Sequence, residues 1–154
     1  MTDTSPTLWI DGDGAPKACK DIIFRASERT GVSVMLVANR GQHVPRIATV
    51  RQQVVPGGLD VADDYIAERV QTGDLVITSD IPLAARVIEA GGTVIRFRGE
   101  PLTEDNVRQR LAVRDLMDEM RGAGVMTGGP PPYGPKDKQR FANALDRWLR
   151  GAGL

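Results

Sequence analysis

"LWIDGDGAP", residues 8–16, is a short apolar run that passes into two aspartates set between glycines and then into a proline. Pro16 suits the first turn of a helix, so the stretch reads as a strand that ends in acids and leads directly into a helix. The same alternation recurs along the chain. Residues 32–38, "VSVMLVA", are apolar on both alternating faces, as a strand covered on both sides must be. Further strands are expected at 49–55, 74–79 and 93–98. Helices are expected at 15–31, 59–73, 82–92 and 102–121, the last with Thr103 as its N-cap. Strands alternating with helices over short connections predict an open, mostly parallel α/β sheet with helices on both faces, a three-layer sandwich.

With 154 residues, 41% of them hydrophobic, the chain is expected to form a single domain over 1–154. Lys plus Arg and Asp plus Glu each total 20. A formal net charge of zero withholds the argument for nucleic-acid binding that a basic chain would give, so any polyanion site must be local. The single cysteine, Cys19, excludes an internal disulfide and falls on the apolar stripe of the first helix, where it reads as a buried structural thiol. "MTDTSP" has no basic start followed by an apolar stretch, and no run approaches the ~20 apolar residues of a membrane span. Cytoplasmic location without membrane association is the expectation. Residues 121–135, "RGAGVMTGGPPPYGP", are too rich in Gly and Pro for a helix or strand and are expected to form a rim loop. A final helix over 136–151 should dock back through Phe141, Leu145, Trp148 and Leu149.

In an open parallel sheet, ligands bind beyond the carboxyl ends of the strands near the point where the winding reverses. Asp11 and Asp13 follow the first strand, Asp80 follows the fourth, and Asp60, Asp63 and Asp64 open the helix after the third. Asp13 can equally shape a turn, and Asp80 and Asp60 can cap helices. Asp63 fits a purely structural role less well. It lies on the stripe Leu59, Ile66, Val70, where a carboxylate needs a partner, and no Lys or Arg sits one turn away on that stripe. A shared divalent cation would satisfy Asp11, Asp63 and Asp80, and all-oxygen ligation favours Mg²⁺ or Mn²⁺.

Three chemistries begin with such a strand end. In a haloacid-dehalogenase-like phosphatase Asp11 would be the nucleophile and Asp13 the general acid, with Ser79 as the hydroxyl residue. The lysines that follow, Lys136 and Lys138, lie beyond the Gly/Pro segment, and no acidic strand end comes after them. A response-regulator receiver needs an aspartate ending strand three and a lysine ending strand five, and neither is present. The third is a metal-dependent nuclease of the PIN type.

The ordered motifs "DGDGAP", Val37 to Asn39, Val44–Pro45, "DVAD" at 60–63, "GDLVITSDIPLA", the pair Arg114 and Asp115, "TGGP" at 127–130, and Asp137 to Leu145 together resemble the bacterial YaiI/YqxD family of small PIN-like proteins. The resemblance covers nearly the whole chain. It implies a PIN-like fold with an acidic pocket. Where the family usually carries Cys, this chain has Ala15, so a thiol there is not essential to its chemistry. The reading that follows is a metal-dependent phosphodiesterase acting on RNA or another nucleic acid. Asp11, Asp63 and Asp80 would hold Mg²⁺ or Mn²⁺, with Asp13 and Asp60 in or beside the site. Lys17, Arg40, Arg46, Arg51, Ser79 and Arg114 are candidate substrate contacts, together with the backbone amides of Gly128 and Gly129. A non-catalytic metal- or nucleic-acid-binding module is the other alternative.

Overall fold

The computed structural model describes residues 5–122, 124 and 131–154. Strands β1 (Thr7–Asp11), β2 (Ser33–Ala38), β3 (Val50–Val54), β4 (Leu75–Ile77), β5 (Thr93–Ile95) and β6 (Pro101–Leu102) form one sheet in the order β3-β2-β1-β4-β5-β6. The first five strands are parallel and β6 is antiparallel to β5. The winding therefore runs outward from β1 through β2 to β3, then restarts at β4 on the other side of β1. This is the doubly wound order whose switch point lies between β1 and β4.

Helices α1 (Lys17–Thr30) and α5 (Pro135–Gly151) cover one face, where Cys19, Ile23 and Ala26 of α1 and Phe141, Leu145 and Leu149 of α5 meet Leu8, Ile10, Leu36 and Ile77. Helices α2 (Val61–Arg69), α3 (Ile81–Glu89) and α4 (Glu104–Gly122) cover the other, where Ile66, Leu83, Val87 and Val107 pack on Trp9, Val37, Val76 and Val94. Alternate residues of β1 thus feed two cores, the period-2 geometry of a central strand. The expected three-layer α/β architecture is present, and α5 docks through its apolar stripe, with Trp148 at the edge.

Three local features differ from the sequence expectation. The fifth strand ends at Ile95, and a turn through Gly99 returns the chain as the two-residue β6. Helix α2 starts at Val61, so Leu59 lies outside it and is 92% exposed rather than part of a buried stripe. Val70 closes that helix in an extended conformation. Thr103 caps α4 as expected: its hydroxyl accepts from Asn106 N, and Asn106 Oδ1 accepts from Thr103 N. Among the described residues no helix is long and apolar enough to cross a membrane. Of the Gly/Pro segment, residues 123 and 125–130, with Gly128 and Gly129, lie outside the described residues.

Candidate functional site

The turn after β1 is dictated by crowding. A Cβ on Gly12 would stand 2.8 Å from Leu36 Cδ2 and 2.9 Å from the Val37 carbonyl oxygen, to which Gly12 N donates at 2.8 Å. Glycine is required there for close approach to β2. Gly14 has no comparable contact, its Cβ position being 3.6 Å from Phe97. The turn leaves Asp11 at the carboxyl end of β1, level with Val37 of β2.

Thr78, fully buried just after β4, organises the neighbouring strand end. Its hydroxyl donates to Asp11 Oδ2 at 2.8 Å and accepts from Asp80 N at 3.0 Å. The sequence offers Ser79 as the hydroxyl residue at this strand end. Side chains alternate along an extended backbone: Thr78 faces Asp11, whereas Ser79 Oγ accepts from Phe97 N at 3.4 Å on the β5 side. Asp80 caps α3, its Oδ1 accepting from Leu83 N at 2.9 Å.

Asp63 comes to the same place from α2. Burial pushes its carboxyl up to about 6, and the charges of Asp80, Asp11, Asp60 and Asp64 add to the shift in that order. Burial also raises the Asp11 carboxyl; the Thr78 hydrogen bond opposes this, while Asp80 and Asp13 reinforce it. The charges of Asp80 and Asp11 thus both act on Asp63, and that of Asp80 acts on Asp11. No described Lys or Arg forms an ion pair with any of them; Arg86, the nearest cation on α3, is bound to Asp64 at 2.6 Å. As they stand, no three His, Cys, Asp or Glu side chains among the described residues form a group able to hold a metal ion. The arrangement is a loose constellation of oxygens, with one oxygen of Asp11 and one of Asp80 committed to hydrogen bonds.

The other two acids are placed differently. Both carboxylate oxygens of Asp13 lie 3.0 Å from Asn39 N, so Asp13 ties the end of β2 to the first turn. Asp60 occupies the N-cap position of α2 with φ 63° but makes no side-chain cap; its carbonyl accepts from Asp64 N instead. The capping role expected of its side chain is not realised, because the left-handed backbone carries the turn.

The expected substrate contacts divide. Arg114 lines a cavity of about 560 Å³ with Ser79, Asp80 and Arg96, which puts it beside the acids. Among the described residues its ion-pair partner is Asp118 at 3.8 Å. Asp137, at the start of α5, accepts from Gly134 N and from Arg98, which also donates to the Pro131 carbonyl. Lys17 is exposed and pairs with Asp21 at 3.8 Å. Arg40 and Arg46 are exposed on the connection between β2 and β3. Arg51 is displaced from the site, because it registers with Met35, two residues below the Val37 that faces Asp11, on the edge strand two positions from β1.

Two further groups have structural explanations. Asp74, buried at the opposite end of β4, accepts from Thr7 N, Trp9 Nε1 and Gln71 N at 2.9, 3.1 and 2.9 Å. Cys19 is fully buried beside the Phe97 carbonyl and the Tyr133 hydroxyl, and burial pushes its thiol up to about 11, as expected for an inert core thiol.

Comparison with known proteins adds a family but no activity. The family model described as "Uncharacterized BCR, YaiI/YqxD family" matches residues 9–151. A UPF0178 protein of Xanthomonas campestris pv. campestris (strain 8004) is 55% identical over 142 residues, 92% of this chain and 89% of the relative. UPF0178 proteins of Pectobacterium carotovorum subsp. carotovorum (strain PC1) and Yersinia pestis (strain Pestoides F) are 51% and 50% identical over 145 residues. These matches cover 94% of this chain, and 97% and 95% of the relatives. No solved structure matches.

Proposed function

The chain belongs to the YaiI/YqxD family, and we propose that it is a divalent-cation-dependent phosphodiesterase acting on nucleic acid. One observation supports this reading: Asp63 of α2 feels the charges of Asp80 and Asp11, which follow the neighbouring strands β4 and β1, and none of the three forms an ion pair with a described Lys or Arg. Carboxylates gathered in this way repel a phosphate unless their charge is neutralised. A bound Mg²⁺ or Mn²⁺ would supply Lewis acidity toward the phosphate and make a water molecule acidic enough to attack it.

The residues fit such an ion in kind, since the donors are all hard oxygens. In position they would have to draw together, because they do not yet form a cage. The parts of the chain divide that work. Thr78 fixes one oxygen of Asp11 and orients the Asp80 backbone. The cap to Leu83 holds the Asp80 carboxylate by one oxygen and leaves the other uncommitted. Asp63 makes no hydrogen bond with its side chain among the described residues, so both of its oxygens are available to an ion. Asp13 is a brace for the turn rather than a proton donor, which weighs against aspartyl-phosphate chemistry at Asp11.

The test is Mn²⁺-dependent cleavage of labelled single-stranded RNA by the full chain, with Asp63→Asn and Asp80→Asn alongside. Cleavage that requires Mn²⁺ and is lost in both variants is the expected result. Mn²⁺-dependent stabilisation without cleavage of RNA or DNA would replace the reading with a binding module. A beryllium fluoride adduct at Asp11 would replace it with a phosphatase.

A further inference from the structure

Unpaired positive charge lies next to the acids, on the side opposite to β3. A cavity of about 640 Å³ opens between the β5–β6 turn and α5, and its wall carries Arg96, Arg98, Arg140 and Arg147 against Glu100 and Asp137. Arg98 is consumed by Asp137 and the Pro131 carbonyl. Arg96 reaches Glu100 only at 3.5 Å, because Arg110 already holds both oxygens of Glu100 at 3.1 and 2.6 Å. The Nε of Arg96 is buried with no acceptor among the described residues. The side chains of Arg140 and Arg147 bond to nothing among the described residues.

The local fold explains why these groups converge. Arg140, Asn143 and Arg147 follow helical spacing along one flank of α5, beside the stripe Phe141, Leu145 and Leu149 that anchors the helix in the core. Gly99, with φ 90°, brings the β5–β6 turn so near that a Cβ would stand 2.5 Å from the Arg140 carbonyl carbon. The two cationic walls are therefore held at a fixed separation. Ser79 and Arg96 line both this cavity and the cleft that contains Asp80, so the cationic and acidic sites adjoin.

Guanidinium groups in excess of carboxylates, one with an orphaned donor and two without partners, call for an anion with several acceptor oxygens. Phosphate meets that need through paired N–H···O bonds. A volume in the range of small-ligand pockets has room for one nucleotide and none for a duplex. We infer that this cavity is a subsite for a backbone phosphate of single-stranded nucleic acid, beside the phosphodiester at the carboxylates. That adjacency rests on the phosphodiesterase reading, whereas the anion site does not.

The experiment is anisotropy of a fluorescein-labelled single-stranded RNA with the full chain in EDTA, where no cleavage intervenes. Wild type is compared with R140Q/R147Q and with a charge-matched control, R108Q/R150Q, away from the cavity. R140Q/R147Q should bind about tenfold more weakly, and its salt dependence, as the log–log slope, should fall by about 0.7 for the one lost phosphate contact. The control should change by less than about threefold. Circular dichroism melts check folding, and R147Q alone, expected to lose about threefold, serves if the double variant is unstable. Wild type that does not bind, a double variant within twofold of wild type, or a control that loses as much would each overturn the inference. So would competition by inorganic phosphate that depends on Arg140 and Arg147 while RNA affinity does not, since the cavity would then take free phosphate. Weakened RNA binding by R140Q/R147Q without Mn²⁺-dependent cleavage by wild type keeps the subsite and removes the phosphodiesterase. Cleavage with a KM unmoved by R140Q/R147Q does the reverse.

Discussion

Replacing Asp63 by asparagine keeps the shape of the side chain and removes one of three crowded charges. The Asp63 carboxyl is raised from 3.8 to about 6 in the folded chain. Its ionised form therefore costs stability, at most roughly 3 kcal/mol at about 1.4 kcal/mol per pH unit. Asp63 is partly exposed, and solvent screening reduces this to about 1 kcal/mol. The sign follows from linkage. Below the unfolded value of 3.8 the group is protonated in both states and costs nothing; stability is lost as pH rises toward 6, and the loss is complete above it. In EDTA at pH 7.5, Asp63→Asn should melt higher than wild type by about 2–4 °C, the shift that about 1 kcal/mol gives a chain of this size. At pH 4 the two should melt together. In excess Mn²⁺ the order should reverse, because wild type gains about 2.7 kcal/mol at a hundredfold excess over Kd and the variant loses most of that gain. If Asp63 only complements the dipole of α2, the variant instead melts slightly lower at both pH values, by a few tenths of a kcal/mol, with or without Mn²⁺. That result, or an unchanged Mn²⁺ response, would refute the shared site.

Three further outcomes separate structural groups from functional ones. Asp74→Ala strands three donors at the far end of β1 and β4 and should cost about 3 kcal/mol in a denaturant titration, with the Mn²⁺ response of the melting temperature unchanged. Gly12→Ala should cost about 1–3 kcal/mol by the same titration, because its methyl group meets the Leu36 side chain and the Val37 backbone. It should also weaken Mn²⁺ binding by displacing Asp11; a neutral effect on stability would mean that β1 and β2 are less closely apposed. Cys19 should not react with a chromogenic disulfide reagent at pH 8 until denaturant is added, and prompt labelling of the native chain would contradict its burial.

The layer architecture was legible because β1, β2 and β4 serve two cores and are apolar on both alternating faces, a pattern that only a covered parallel sheet requires. Strand β6 was not, since two residues carry no periodicity and pair only because the Gly99 turn folds them back. The acids were legible through topology: once β1 and β4 are neighbours, Asp11 and Asp80 must approach each other. Of the positive charge expected at Lys17, around strand three and at Arg114, Arg114 lines the cleft with Asp80, whereas the register puts Arg51 two strands away. Arg96 and Arg147 come from distant segments, and only the packing of α5 against the β5–β6 turn brings them to one cavity. No local pattern marks such a pairing. Likewise Thr78 was hidden behind Ser79, because the choice between adjacent hydroxyls depends on which one faces β1.

Asp80 shows why the structural and functional readings of these acids need not compete. As an N-cap it accepts from Leu83 N through Oδ1, an ordinary stabilising device at the start of a helix. A carboxylate has about four acceptor positions, so this bond restricts the rotamer without exhausting the group. The cap exists because α3 begins immediately after β4, and β4 ends there because it is three residues long. That same short strand places the end of β4 level with the end of β1, where Asp11 stands and where α2 brings Asp63. Each acid thus has a local reason to be present, and the switch point gives them a common location. What no local reason supplies is the absence of an ion pair from a described Lys or Arg to Asp11, Asp63 or Asp80, in a chain that elsewhere pairs Asp64 with Arg86 and Asp137 with Arg98. These acids without an ion-pair partner are therefore the feature on which the proposed cation site rests, and the Mn²⁺ melts of Asp63→Asn test it.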